Sequence, residues 1–188
     1  EIGLPFDILK LLEISALWHD VGKSHRVFQG SIRHAQRPDR QDLAKAPQSA
    51  WPREYLYKDG AEHRPGFRHE LASALALFSV LSRRNSEHPA LIGSSEKFQI
   101  EDSSSGDWEK DIMALDYDSF NLVAYLIASH HGKVRMNLQA SVFDQEYEPQ
   151  DEFGLPIRGV REGDQLPALY GPNNQLLIHD ISLTLEPA

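Results

Sequence analysis

Five side chains in three short clusters carry the chemistry open to this chain: His19-Asp20 in LWHDVGK, His69 in FRHELAS, and His130-His131 in ASHHGK. Neutral imidazole nitrogens and carboxylate oxygens suit first-row divalent metals, and an aspartate with two oxygens can bridge two such ions about 3.5–4 Å apart. Water held there becomes hydroxide near neutral pH, and the same ions hold phosphate oxygens as negative charge builds on them. Lys23 leaves a cation beside the His-Asp carboxylate. Acyl transfer by a Ser/His/Asp set fits less well, because no G-x-S-x-G turn is present.

Each cluster alone is weak. The chain holds a second His-Asp pair, His179-Asp180, in a strand-like setting. His69 by itself reads as a structural histidine, since histidine is intermediate in burial. Two adjacent histidines at a helix end, followed by glycine, are less ordinary. Helix neighbours point about 100° apart, so both face one cavity only where the helix ends or the cavity is wide.

Apolar helices must position these groups. Pro5 reads as an early helix position, followed by Phe6, Leu9, Leu12, Ile14, Ala16 and Leu17 up to the interruption at Val21-Gly22. This predicts a buried helix delivering His19 and Asp20 at its C-terminal end, with the glycine letting the backbone turn away. A shorter helix is expected through Val27, Phe28 and Ile32, then a loop-like stretch to about Gly66. Phe67 to Leu81 predicts a second strong helix, with Leu71, Ala74, Leu75 and Phe78 at core spacing. Residues 85 to about 116 read as a polar excursion, and a third helix is expected from a cap at Asp118 or Ser119 to His130. Ile157 to Val160 and Leu176 to Leu185 predict short strands of a hairpin. The expected fold is therefore mainly α, a helical bundle with a small C-terminal β-hairpin. Residues 1–188 are expected to form one domain, with a core over about 1–135 and the hairpin appendage over about 155–186.

At 188 residues and 40% apolar composition, the chain is long enough for one domain with a real core. It has no run of roughly 20 apolar residues and no secretory signal, so no membrane partner is expected. The lack of cysteine excludes disulfides and thiolate metal sites and fits a cytoplasmic setting. The sequence opens at Glu1 without an initiator Met, the form expected of a piece of something longer. A net charge of −9 argues against coating nucleic acid by bulk charge. Its distribution is uneven: residues 21–58 hold eight Lys/Arg against three acids, and residues 86–118 hold nine acids against two lysines. The basic stretch begins directly after His19-Asp20. Lys23, Arg33, Arg37 and Arg40 are the candidates for guiding a phosphate backbone to a metal; the plainer alternative is two solvated loops of opposite sign.

On His19-Asp20-Val21-Gly22-Lys23 followed by Phe28-Gln29, on Arg68-His69-Glu70, and on Ser129-His130-His131-Gly132, the chain resembles the HD superfamily of metal-dependent phosphohydrolases. Within it, the chain is most similar to the HD nuclease domain of the CRISPR-associated helicase-nuclease of type I systems, over roughly the first 135 residues. The resemblance implies an HD-domain helical bundle that cuts single-stranded DNA, as endo- or exonuclease, with one or two divalent ions (Mn, Fe, Co, Ni, Mg or Zn). It implies as partners a helicase domain, on the same or a separate chain, and an RNA-guided CRISPR effector complex that opens the target in antiviral defence. By the same resemblance Asp20 bridges, His69, His130 and His131 hold one metal, His19 holds the other, and Lys23 lies close to the metal-bound phosphate, making Asp20 and Lys23 the catalytic pair. The family also places a histidine on a helix before the His-Asp motif and an aspartate on a late helix. No histidine precedes His19 here, and Asp180 is a poor substitute for the aspartate, so one metal is expected to be tight and the other weak. Two other readings stay open: an HD phosphohydrolase acting on nucleotides or cyclic dinucleotides in a closed pocket, and a catalytically weak module that docks a helicase or effector complex.

Overall fold

The computed structural model describes residues 8–32, 44–51, 58–59, 62–64, 67–91, 105–131 and 157–185. Helix α1 (Ile8–Trp18) buries Leu11, Ile14 and Trp18, the face that packs on α5 (Tyr117–Ser129). The C-terminal ends of these two helices meet. The rings of His19 and His130, just past those ends, lie 5.0 Å apart, and Lys10, near the start of α1, donates to Asp111 (3.2 Å). Helix α3 (His69–Arg84) packs between α5, α4 (Asp107–Met113) and the 3₁₀ turn Val21–Ser24, and it is buried along almost its whole length. Helix α2 (Arg26–Ser31) starts at His25, whose Nδ1 accepts from the Val27 N–H (3.1 Å).

The expected helices therefore form, with two corrections. The stretch from 85 to 116 is more than a polar excursion, since its described part holds a 3₁₀ turn (Pro89–Leu91) and α4. Seven mostly charged residues show no period; tertiary contacts fix α4. The buried Glu109 carboxylate accepts from Gly106 N (2.9 Å), His179 N (2.9 Å) and the His179 ring (3.0 Å). The cap of α5 is Asp116, which accepts from Ser119 N (2.8 Å), not Asp118 or Ser119.

The C-terminal appendage is a pair of nested antiparallel ribbons. Strands β1 (Lys58–Asp59) and β2 (Glu62–His63) pair earlier in the chain, within the stretch read as a loop. Farther on, β3 (Gln165–Leu166) pairs with β6 (Ile181–Ser182), enclosing β4 (Leu169–Tyr170) paired with β5 (Leu176–Ile178). The hairpin is thus present, but residues 165–170, read as turns, supply half of its pairing. The expected Leu176–Leu185 strand breaks at His179-Asp180. Leu166, Ile178, Ile181 and Leu183 join the same buried core as α1, α3 and α5.

Two contacts fasten this appendage beside the clusters. Asp164 accepts from Arg64 Nη1 with both oxygens (2.6 and 2.7 Å), lies 3.1 Å from His25 Nε2, and accepts from Arg161 N (2.8 Å). All of His25, Arg64 and Asp164 are buried. Ile157 bridges Val160 around a turn whose Gly159 has φ 74°; a Cβ there would stand 2.6 Å from Phe67 Cα. Arg68 N donates to the Arg158 carbonyl from the same turn (3.0 Å), so the appendage seats against the residues leading into α3. Among the described residues, no helix is long and apolar enough to cross a membrane.

Candidate metal centre

The three clusters meet where helices end. His19 and Asp20 follow α1, His130 caps α5 with His131 next to it, and His69 opens α3. Gly22 makes the meeting possible. A Cβ at Gly22 would lie 2.1 Å from the His69 carbonyl and 2.8 Å from Ser73 N, so the turn after Asp20 rests directly on the first turn of α3. Gly22 N donates to Ser73 Oγ (2.7 Å), and Ser73 Oγ donates to the His19 carbonyl (2.9 Å). Close approach, rather than release of the chain from a helix, is the reason for glycine here. Gln29 Nε2 donates to the Lys23 carbonyl (2.5 Å), and Phe28 sets its ring edge-on to His69 at 5.7 Å, which gives the Phe28-Gln29 pair a local role.

His69, His130 and His131 each bring a ring nitrogen to within 4.8 Å of the others. The Nε2 atoms of His69 and His131 face each other at 3.2 Å. Two donors about 2.0–2.1 Å from one cation, at tetrahedral or octahedral angles, stand about 2.8–3.4 Å apart. Asp20 adds oxygens on two sides: Oδ1 lies 3.5 Å from His69 Nε2, while Oδ2 lies 3.3 Å from His19 Nε2 and 2.8 Å from Lys23 Nζ. Oδ1 is buried and has no hydrogen-bond partner among the described residues. A buried carboxylate oxygen without a donor is costly unless a cation faces it. Donor types, spacing and this oxygen together fit a divalent ion.

Proton positions support the same use. His19 Nδ1 and His130 Nδ1 each pair with the carbonyl three residues back, Ala16 and Ile127, at 2.7 Å. Only an N–H can pair there, so in the neutral form of each ring the lone pair lies on Nε2. His69 Nδ1 lies 3.4 Å from Glu70 Oε2, and Glu70 is itself held by Arg68 (2.8 Å). Burial pushes the His69 imidazole down to about 4 while Glu70 pulls it back up, leaving the ring neutral at neutral pH. Glu70, read only as part of the Arg68-His69-Glu70 motif without a role, and Ser73, which sequence reading missed, are the neighbours that hold the centre in place. An acid directly after a candidate ligand was the available signal for Glu70; nothing local marks Ser73.

Other histidines and acids lie elsewhere. His25 faces Asp164. Asp180 accepts through its carbonyl from Arg83 (2.9 Å), at the far end of α3, about 20 Å from His69 at 1.5 Å per residue. Arg33, Arg37 and Arg40 lie outside the described residues, whereas Lys23 is in the centre.

The family model described as "Cas3, HD domain" matches residues 5–167, past the last motif and into β3. The chain belongs to the Cas3 HD-domain family. No curated protein and no solved structure matched it. A Cas3 HD domain is a metal-dependent nuclease module of a CRISPR system, in the setting of a helicase-nuclease with a DNA substrate. The histidines gathered at these helix ends suit the divalent metals such domains bind.

Proposed function

We propose that this Cas3 HD domain hydrolyses phosphodiesters of single-stranded DNA, as the nuclease of a type I CRISPR antiviral system in the cytoplasm. In this reading residues 1–188 act as one domain, and a helicase and an RNA-guided effector complex deliver the strand. The observation that carries the proposal is the gathering of His69, His130 and His131 within 4.8 Å of one another, with Asp20 Oδ1, which has no donor among the described residues, 3.5 Å from His69.

A bound divalent cation supplies Lewis acidity toward the phosphate and lowers the pKa of the attacking water. His69, His130, His131 and Asp20 would hold one ion, and His19 with the second oxygen of Asp20 would hold another. The Ala16 and Ile127 carbonyls leave the lone pairs of neutral His19 and His130 on Nε2 for this task. Lys23 pairs with the Asp20 carboxylate and leaves an ammonium beside the place where phosphate charge builds. The basic stretch from Lys23 to Lys58, with Arg33, Arg37 and Arg40, is the proposed path for the strand, and the acidity of the rest supports a narrow path over a broad surface.

The test pairs metal content with substrate choice. The dialysed protein, loaded in turn with each divalent ion, is offered single-stranded DNA, duplex DNA, cyclic dinucleotides and mononucleotides. Cleavage of single strands that stops with chelator is the expected result. Turnover confined to the small nucleotides replaces the reading with a nucleotide phosphohydrolase, and failure to bind any metal replaces it with a docking module.

A further inference from the structure

An aromatic pair leads away from the metal centre toward the surface. Phe28 meets the His69 ring at 5.7 Å and the Trp51 ring at 5.4 Å, both edge-on. Laid end to end, these spacings put Trp51 at most about 11 Å from His69. Phe28 is buried, whereas Trp51 is partly exposed at the outer end of the pair. Trp51 is also held in place. Its Nε1 donates to the Ala46 carbonyl (3.2 Å), and its backbone N–H donates to Gln48 O (3.3 Å), closing the 3₁₀ turn Gln48–Ala50. Around it, residues 44–51 expose Lys45, Gln48 and Ser49 and include no acid, in a chain of net charge −9.

We propose that Trp51 is a stacking platform for one base of the single strand being cut. The inference rests on the nuclease reading above and adds a residue that touches the nucleobase. A strand advances about 3.4 Å per nucleotide when stacked and about twice that when extended, so the reach from the centre to Trp51 is roughly two or three nucleotides. The indole N–H is already engaged, so this contact offers an aromatic surface rather than a hydrogen bond to base edges. Every base presents a π-face, and the recognition is therefore tolerant of sequence. Because the ring is already fixed by Ala46 and Phe28, little side-chain freedom is lost on binding.

Binding of 5′-labelled strands to the whole chain in chelator tests this, using oligodeoxythymidylate and an abasic deoxyribose-phosphate strand of equal length. Trp51→Ala should weaken oligodeoxythymidylate binding about 5- to 150-fold, the range of one base–aromatic stack, and leave abasic binding unchanged. Trp51→Leu, which keeps an apolar side chain against Phe28 but lacks a π-face, should match it, and Trp51→Phe should retain most of the affinity. Equal loss on both strands, or loss on neither, makes Trp51 a packing residue and overturns the proposal while the nuclease reading stands. An unaltered protein that binds neither strand overturns the stacking proposal, and one that also cleaves no single strand when loaded with metal overturns the nuclease reading as well.

Discussion

Asp20 turns its two oxygens to different neighbours, Oδ1 to His69 and Oδ2 to His19 and Lys23. Each histidine has one lone pair to give, so Asp20 is the group whose loss reaches both sides of the centre. Asp20→Ala is expected to lower single-strand cleavage by more than about 100-fold and to change unfolding free energy by less than about 1 kcal/mol, since the Lys23 pair is partly exposed. Chevron or urea melts beside a cleavage assay check this; near-normal cleavage with full metal content would refute the assignment. Glu70 acts through His69, and Glu70→Gln should weaken metal binding about 10-fold without shifting the melt, as measured by titration calorimetry with Mn²⁺. The histidines and Asp20 were legible in the sequence because their types are few and their contexts distinctive. Ser73 was not, and Gly22 was read only as a turn, because their shared role depends on α3 lying against a turn some fifty residues earlier, and no local pattern records that distance.

At the scale of elements, α1, α3 and α5 could be read because 11 to 16 residues of apolar period leave a clear trace. Helix α4 and the strands β1 to β4 could not, since such short elements carry no period of their own and are held by distant partners, Glu109 by His179 and Asp164 by Arg64. The contact between the Val21–Ser24 turn and α3 is the joint on which the centre depends. Gly22→Ala must push back the His69 carbonyl, and we expect a loss of about 1–3 kcal/mol in stability together with weakened metal binding. A variant with unchanged urea midpoint and metal affinity would show that the joint yields freely.

For the molecule as a whole, the sequence reading of a helical bundle with a C-terminal hairpin holds, although the appendage proved to share the helices' core and to reach His25 through Asp164. That link sets an acid limit. Burial alone would raise the Asp164 carboxyl, but the His25 imidazole and Arg64 guanidinium hold it down to about 2 from 3.8. The unfolded chain therefore binds this proton more readily than the native state. The contribution, about 2 kcal/mol, is complete above about pH 4 and is lost as pH falls through 2. Urea melts at pH 5 and pH 2.5 should show most of that difference, and Asp164→Asn should remove it while lowering stability at pH 7 by about 3–5 kcal/mol. The direction of the helices has its own consequence. α1 and α5 arrive at the centre by their C-terminal ends and α3 leaves it by its N-terminal end. Aligned peptide dipoles give each C-terminus about half a negative elementary charge and each N-terminus about half a positive one. The space between them is polarised before any ligand arrives, with two negative poles beside His19, His130 and His131 and a positive pole beside His69. Backbone thus adds a local field to that of the side chains, in a chain whose net charge is −9.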